Sequence, residues 1–400
     1  MLDLRCLTVL AIATWLMPTA VTAQSDAPKP HLLRWSAGGE GQPARCEMAL
    51  DATLIDGRFG YVTADPAFGR IVLATTAERR RGDTTTRRVS RVWLFAPASP
   101  DAGLVPLGFG SQPRWSPDGS RLLVRKPLPQ RPHERGKQTD PAHPQTLYED
   151  ADSLGPDRTL TDLESREIAM PQHPEVIWLG SDALLMPVRS GELLRVDANT
   201  DARHTIAVPQ DLNLYQMASL GPDRFAVERM PKQPWPPQPN AESIAPDLVE
   251  VTLPANLPDD ESPVEATVSD RLLGTDLNRL LPTGHRAKSF VTVRSAGESD
   301  DVFLTCIEEA ADGRTVSRTF DYGLDPQQVP EPLDESVWRI GPDGTATCLM
   351  RAPRGHYLRL TAASVDGREL LLTAYLRRLG SEERKTAEMP VEPQSFVVGE

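Results

Sequence analysis

One short unit recurs along this chain and limits what the chain can become. It is seen best in WSPDGSRLLV, from Trp115 to Val124, and in ASVDGRELLL, from Ala363 to Leu372; both contain a turn, an Asp-Gly pair and an apolar triplet. Pro117 presets the φ of a turn, Asp118 can bond its own backbone, and Gly119 takes a positive φ at low cost, so the unit predicts a hairpin. The RLLV and ELLL that follow are short, apolar and unbroken, as in a strand covered on both faces. Four looser copies begin at Ala64 (ADPAFGRIVL), Trp178 (WLGSDALLM), Ala218 (ASLGPDRFAV) and Ser295 (SAGESDDVFL). Self-similarity at a spacing of tens of residues marks an array of supersecondary units, so the repeat outranks any overall property as a guide to fold.

Downstream of several copies lies a second hairpin: RVWLFAPASPDAGLVPL from Arg91, GELLRVDANTDARHTIAV from Gly191, and SVWRIGPDGTATCLM from Ser336. Each unit therefore holds four strands. The stretch PRWSPDGSRLLV, preceded by VWLFAPASPDAGLVPLGFGSQ, resembles the blade repeat of TolB-type, WD-repeat-like β-propellers, and the pattern covers roughly residues 60 to 376. The resemblance implies an all-β chain, a six-bladed β-propeller of four-stranded antiparallel blades. It lacks the α/β domain that precedes the propeller in TolB itself, because strand-like sequence begins soon after the N-terminal segment.

The units start 40 to 77 residues apart. A compact blade needs about 40 to 50 residues, so insertions account for the excess. A ring with a free sheet edge invites aggregation. The C-terminal SFVVGE is short, whereas HLLRWSAGGEGQPARCEMAL, from His31 to Leu50, reads as a displaced second hairpin. This N-terminal segment is expected to complete the last blade; a loose leader is the plainer alternative.

Residues 1–23 read as a cleaved signal peptide: Arg5 in a short basic region, an apolar run from Leu7 to Met17, and VTA ending at Ala23. The run is too short for a membrane span. The mature chain, 24–400, is expected to be a single propeller domain, periplasmic or secreted and monomeric. Cys46, Cys306 and Cys348 remain after cleavage, allowing at most one disulfide and leaving one thiol. The net charge of −13 disfavours nucleic acid and anionic lipid as partners.

Long insertions are expected at 75–90, 127–146, 230–247, 308–335 and 377–393, mostly after the second strand of a unit. In a four-stranded meander these connections share one face, which then carries a crown of loops on a rigid scaffold. In the first, ERRRGDTTTRRVSR sets Arg79, Arg80 and Arg81 near Arg87, Arg88 and Arg91 on an otherwise acidic chain, a group suited to gripping carboxylates or phosphates; a solvated hairpin tip is the plain alternative. In MPKQPWPPQPNAESIAPD, Trp235 stands within a polyproline-like run as a candidate binding anchor, or it packs on the scaffold.

Histidines 133 and 143 have no partner at ligand spacing, and PDDESP at 258–263 lacks the pattern of a calcium loop, so neither metal nor cofactor is expected. There is no G-x-S-x-G, H-E-x-x-H, phosphate-binding glycine loop or C-x-x-C. No catalytic residue is nominated. The expected function is non-catalytic binding of a protein or other envelope component through the loop-rich face, with contacts at Arg79, Arg80, Arg81 and Trp235. The competing expectation is a propeller enzyme, a carbohydrate lyase or hydrolase, with its site at the central channel.

Overall fold

The computed structural model describes residues 31–38, 44–50, 58–81, 85–98, 103–126, 143–149, 165–170, 175–230, 245–254, 263–297, 299–318, 327–330, 332–352 and 356–376. First in the chain come β1 (His31–Ser36) and β2 (Arg45–Leu50), which belong to the last blade. Blade 1 is β3 (Arg58–Ala64), β4 (Ile71–Arg81), β5 (Thr85–Phe95) and β6 (Leu104–Phe109). Blade 2 is β7 (Ser111–Trp115), β8 (Leu122–Arg125), β9 (His143–Tyr148) and β10 (Ser165–Met170). Blade 3 is β11 (Ile177–Leu179), β12 (Ala183–Arg189), β13 (Glu192–Asp197) and β14 (Arg203–Ala207). Blade 4 is β15 (Leu212–Ser219), β16 (Arg224–Arg229) and β17 (Asp247–Thr252), then, past the two-residue β18 (Val264–Glu265), β19 (Thr267–Leu272). The short helix α1 (Gly274–Leu280) leads into blade 5, which is β20 (His285–Ser295), β21 (Val302–Ala310), β24 (Pro332–Ile340) and β25 (Ala346–Arg351), with a separate pair, β22 (Thr315–Arg318) and β23 (Gln327–Pro330), between β21 and β24. Blade 6 is β26 (His356–Ala363) and β27 (Glu369–Leu376), followed outward by β1 and β2.

The chain is thus a six-bladed β-propeller, and its first strands close the ring. β1 pairs antiparallel with β27 from His31 opposite Ala374 to Ser36 opposite Glu369, and β2 pairs outside it. Burial drives this closure: Leu32 packs toward blade 1, while Leu33 and Trp35 pack toward blade 5. A further tie comes from β18, which pairs parallel with the outer strand β14 of blade 3 just before the chain enters β19 of blade 4.

Each of the six sequence copies spans the turn between the first and second strand of a blade. The apolar triplets follow from sheet geometry, since successive side chains point to opposite faces. Leu122 and Val124 pack toward blade 1 and Leu123 toward blade 3; Leu370 and Leu372 pack toward blade 5 and Leu371 toward blade 1. The turns share their bonding too. Ser116 Oγ donates to Asp118 Oδ1 at 2.5 Å and accepts from Arg121 N at 2.9 Å; Ser364 Oγ donates to Asp366 at 2.6 Å and accepts from Glu369 N at 2.9 Å. Gly119 and Gly367 take φ of 71° and 68°, and in blade 1 the same position is Phe68, buried with φ of 56°.

The first long insertion, expected at 75–90, is formed largely as a paired ribbon, in keeping with the hairpin-tip alternative. Among the described residues Ala77–Arg81 pair only with Thr85–Val89, beyond the reach of β3 and β6. The β-branched TTT and the valine after it favour a pleated pairing over an open loop. In 308–335, the first residues extend β21, β22 and β23 make a second ribbon, and the last extend β24. Residues 143–146 belong to β9; 127–142, 231–244 and 377–393 lie outside the described residues.

Candidate functional site

The inner strands β3, β7, β11, β15, β20 and β26 stand side by side around the ring. Because each blade is a meander, the first-to-second-strand turns share one end of the ring. The second-to-third-strand connections and the passages between blades share the other. These are called here the turn end and the ribbon end.

At the turn end the central channel opens into a cavity of about 260 Å³. All six inner strands contribute to it near their C-terminal ends, among them Arg114 and Trp115, Ile177 and Trp178, Met217, and Arg294. Arg114 and Arg294 occupy one register position, the residue before the repeated unit in blades 2 and 5, which lie across the ring from each other. Arg114 Nη2 pairs with Glu175 Oε2 at 3.0 Å, and its Cζ sits 5.5 Å from the centre of the Tyr61 ring. Trp178 Nε1 donates to the Arg114 carbonyl at 3.2 Å, tying blade 3 to blade 2. Arg294 is held differently: Nε donates to the Thr361 carbonyl at 2.9 Å and Nη1 to the Val293 carbonyl at 2.7 Å, and among the described residues no carboxylate pairs with it. Burial above all, and then the like charge of Arg114, lower its pKa to about 10, so it remains a cation at neutral pH. Below these groups, Gln112 Nε2 donates to Tyr61 Oη at 3.0 Å and Arg125 Nη1 donates to Gln112 Oε1 at 3.2 Å. Guanidinium groups beside aromatic and aliphatic walls form a lining suited to holding an anion.

Of the residues nominated from sequence, Arg79, Arg80 and Arg81 lie at the end of β4, on the ribbon, opposite Arg87, Thr86 and Thr85 in register. Trp235 lies outside the described residues. The ribbon end also carries a feature that the sequence did not reveal. Among the described residues the exposed large hydrophobics are Phe109, Val188, Tyr215, Met230, Leu273 and Leu280, and all of them fall at this end. Phe109 closes β6, Val188 is next to last in β12, Met230 follows β16, Tyr215 is in the first half of β15, and Leu273 and Leu280 bracket α1. An apolar residue inside a strand-like run reads as core until the ring shows which strand ends are uncovered.

A second polar cluster lies between blades 4 and 5. Glu308, fully buried, accepts from Arg351 Nη1 at 2.6 and 2.8 Å, from Ser336 Oγ, and meets His285 Nδ1 at 2.6 Å. His285, Glu308 and Asp334 bring possible ligand atoms within 4.8 Å of one another. The Arg351 guanidinium already balances Glu308, so the group reads as a structural network. Nearby, Cys306 and Cys348 are thiols whose pKa values burial pushes up, and Cys46 on β2 is a thiol as well.

No protein-family model matches this chain, and no curated protein matches it in sequence. Among solved structures it is similar to the β-propeller domain of the trilobed protease from Pyrococcus furiosus, at 9% identity over 80% of this chain and 94% of that one, with a TM-score of 0.39. It is similar also to Kuenenia stuttgartiensis hydrazine synthase (11% identity, 87% and 89% of the two chains, TM-score 0.39) and to a prolyl endopeptidase (12%, 86% and 50%, TM-score 0.38), of which it spans half the length. No helix among the described residues is long and apolar enough to cross a membrane.

Proposed function

We propose that this chain is an exported, non-catalytic β-propeller of the TolB type, periplasmic or secreted, that binds a protein or another envelope component at the ribbon end of its ring. The observation that carries the reading is the gathering of the exposed large hydrophobics at that one end. Single exposed apolar residues are ordinary on a protein surface, but their collection on one face marks an interaction surface. Two paired ribbons rise from the same end, β4–β5 and β22–β23. The first bears Arg79, Arg80 and Arg81 on a chain of net charge −13, which favours a partner with acidic groups. The N-terminal segment that reads as a signal peptide supports export.

The test is a pull-down from cell-envelope extract with residues 24–400, run beside two variants. One carries Arg79→Ala, Arg80→Ala, Arg81→Ala and Trp235→Ala; the other carries Phe109→Ser and Tyr215→Ser. A partner held by the parent chain and lost from both variants is the expected result. Retention by both would remove the ribbon end from consideration. Turnover of a polysaccharide by the purified chain would replace the reading with that of a carbohydrate lyase or hydrolase.

A further inference from the structure

We infer that the turn-end cavity of the central channel is a binding site for an organic carboxylate, gripped by Arg294 with Arg114 beside it and seated against Trp115 and Trp178. The site lies at the opposite end of the ring from the proposed partner surface, so it stands or falls independently of that proposal.

Three observations carry the inference. First, a charged group withdrawn from bulk water is costly unless it is paired. Elsewhere in this molecule several partly buried arginines meet that need with a carboxylate: Arg70 reaches Asp65, Arg229 reaches Asp247, Arg286 reaches Glu309 and Arg351 reaches Glu308, whereas Arg121 and Arg125 bond neutral oxygens. Arg294 bonds only carbonyl oxygens among the described residues, although it lines the channel-mouth cavity. Second, Arg114 and Arg294 are matched positions of opposed blades with one carboxylate between them: Glu175 bonds Arg114 directly and reaches Arg294 only through its field. One uncompensated positive charge is left, which suits a monoanion better than a phosphate dianion. Third, the remaining wall is largely apolar, with Ile177, Met217 and Leu220 beside the two indoles, and the volume of about 260 Å³ admits a small body carrying an apolar group. A planar guanidinium meets a planar carboxylate through two parallel hydrogen bonds, which is why the carboxylate is the expected head group.

Such a carboxylate has two sources, a free small acid or the terminal carboxylate of a peptide entering from the turn end. The experiment titrates the mature chain with N-acetylphenylalanine, with its amide, with a pentapeptide ending in phenylalanine as free acid or amide, and with inorganic phosphate. The readouts are tryptophan fluorescence, to which Trp115 and Trp178 contribute, and calorimetry. Saturable binding of the acids but not of the amides is expected, weakened tenfold or more by Arg294→Gln and less by Arg114→Gln. A peptide that binds more than tenfold tighter than the small acid identifies the chain terminus as the source, and equal affinities identify the free acid. The inference is overturned by acids that fail to bind the parent chain, by amides that bind as well as acids, by phosphate that binds tighter than either acid, or by an Arg294→Gln chain that binds undiminished. Arg294→Lys guards against a folding defect. It should keep the unfolding temperature of the parent while losing affinity, because a point charge replaces a fork; full affinity in this variant would also overturn the bidentate grip.

Discussion

Closure of the ring by β1 is the contact on which the stability of the whole fold should depend. Leu32 is fully buried and Trp35 is 4% exposed, and the two pack on opposite sides of blade 6. Truncating a buried leucine to alanine costs about 2 to 5 kcal/mol, and a buried tryptophan about 3 to 5 kcal/mol. Whole domains are stable by about 5 to 15 kcal/mol, so the double change removes a large share of the total. Between them, Arg34 pairs with Glu369 at 2.5 Å with side chains 29% and 26% exposed. An ion pair that exposed contributes about 0 to 1 kcal/mol, which makes Arg34→Ala the control. Urea unfolding followed by tryptophan fluorescence and far-UV circular dichroism should show Leu32→Ala and Trp35→Ala each destabilised by at least about 2 kcal/mol, with Arg34→Ala near the parent. Deleting residues 24–50 should do more. It uncovers β27, whose ELLLTAYL would become an apolar sheet edge, and the product should associate on size exclusion. A monomeric, cooperatively folding deletion, or a Trp35→Ala chain that loses less than about 1 kcal/mol, would refute the closure argument.

Two further predictions concern pH. Burial tends to raise the pKa of Asp118, but hydrogen bonds from Ser116 and Ser120 outweigh it and bring the value down to about 2 from an ordinary 3.8. A depressed carboxylate contributes stability that is present above its unfolded value and lost as the pH falls through its folded one. Because Asp118 is exposed, solvent screening reduces the effect, and Asp118→Asn should cost only about 1 kcal/mol at pH 7. The gap between the melting temperatures of variant and parent should close between pH 4 and 2; a gap that persists at pH 2 would contradict the assignment. Glu228 shifts the other way. It is fully buried between blades 4 and 5, and burial raises its pKa despite bonds from Asn213 Nδ2 at 2.5 Å and Phe290 N at 3.0 Å. Its stabilising contribution is complete at low pH and is lost as the pH climbs through the raised value. Glu228→Gln cannot ionise, so it should gain stability relative to the parent as the pH rises from 5 to 8, and thermal melts showing a constant difference would sink this reading.

What was legible in the chain was local. SPDG and SVDG specify a turn through the preferences of three or four adjacent residues, and an apolar triplet after a turn specifies a strand covered on both faces, because the pleat sends neighbours to opposite sides. Two close and four looser copies of this unit agree in number with the six blades that the resemblance to TolB-type propellers implies. At 77–89 a basic, threonine-rich run reads from sequence as an anion grip or a solvated hairpin tip, and its extent as a ribbon is set by the pairing of β4 with β5.

By itself, then, the sequence determined the repeat, the four strands of each unit and a hairpin near the N-terminus, because each rests on side-chain preferences acting over a few residues, whereas the closure of the ring by that hairpin is a long-range pairing with β27. Only the tertiary structure decided where charge and exposure fall. Arg114 and Arg294 are 180 residues apart in the numbering, and nothing local to either residue links it to the other. They become a matched pair because ring closure brings the same register position of blades 2 and 5 to one channel, where Glu175 reaches one guanidinium and leaves the other to two carbonyls. The same closure buries one end of each apolar strand and leaves Phe109, Tyr215 and Met230 in water at the other. Neighbouring blades set both outcomes through burial and long-range pairing, which no local pattern of residues records.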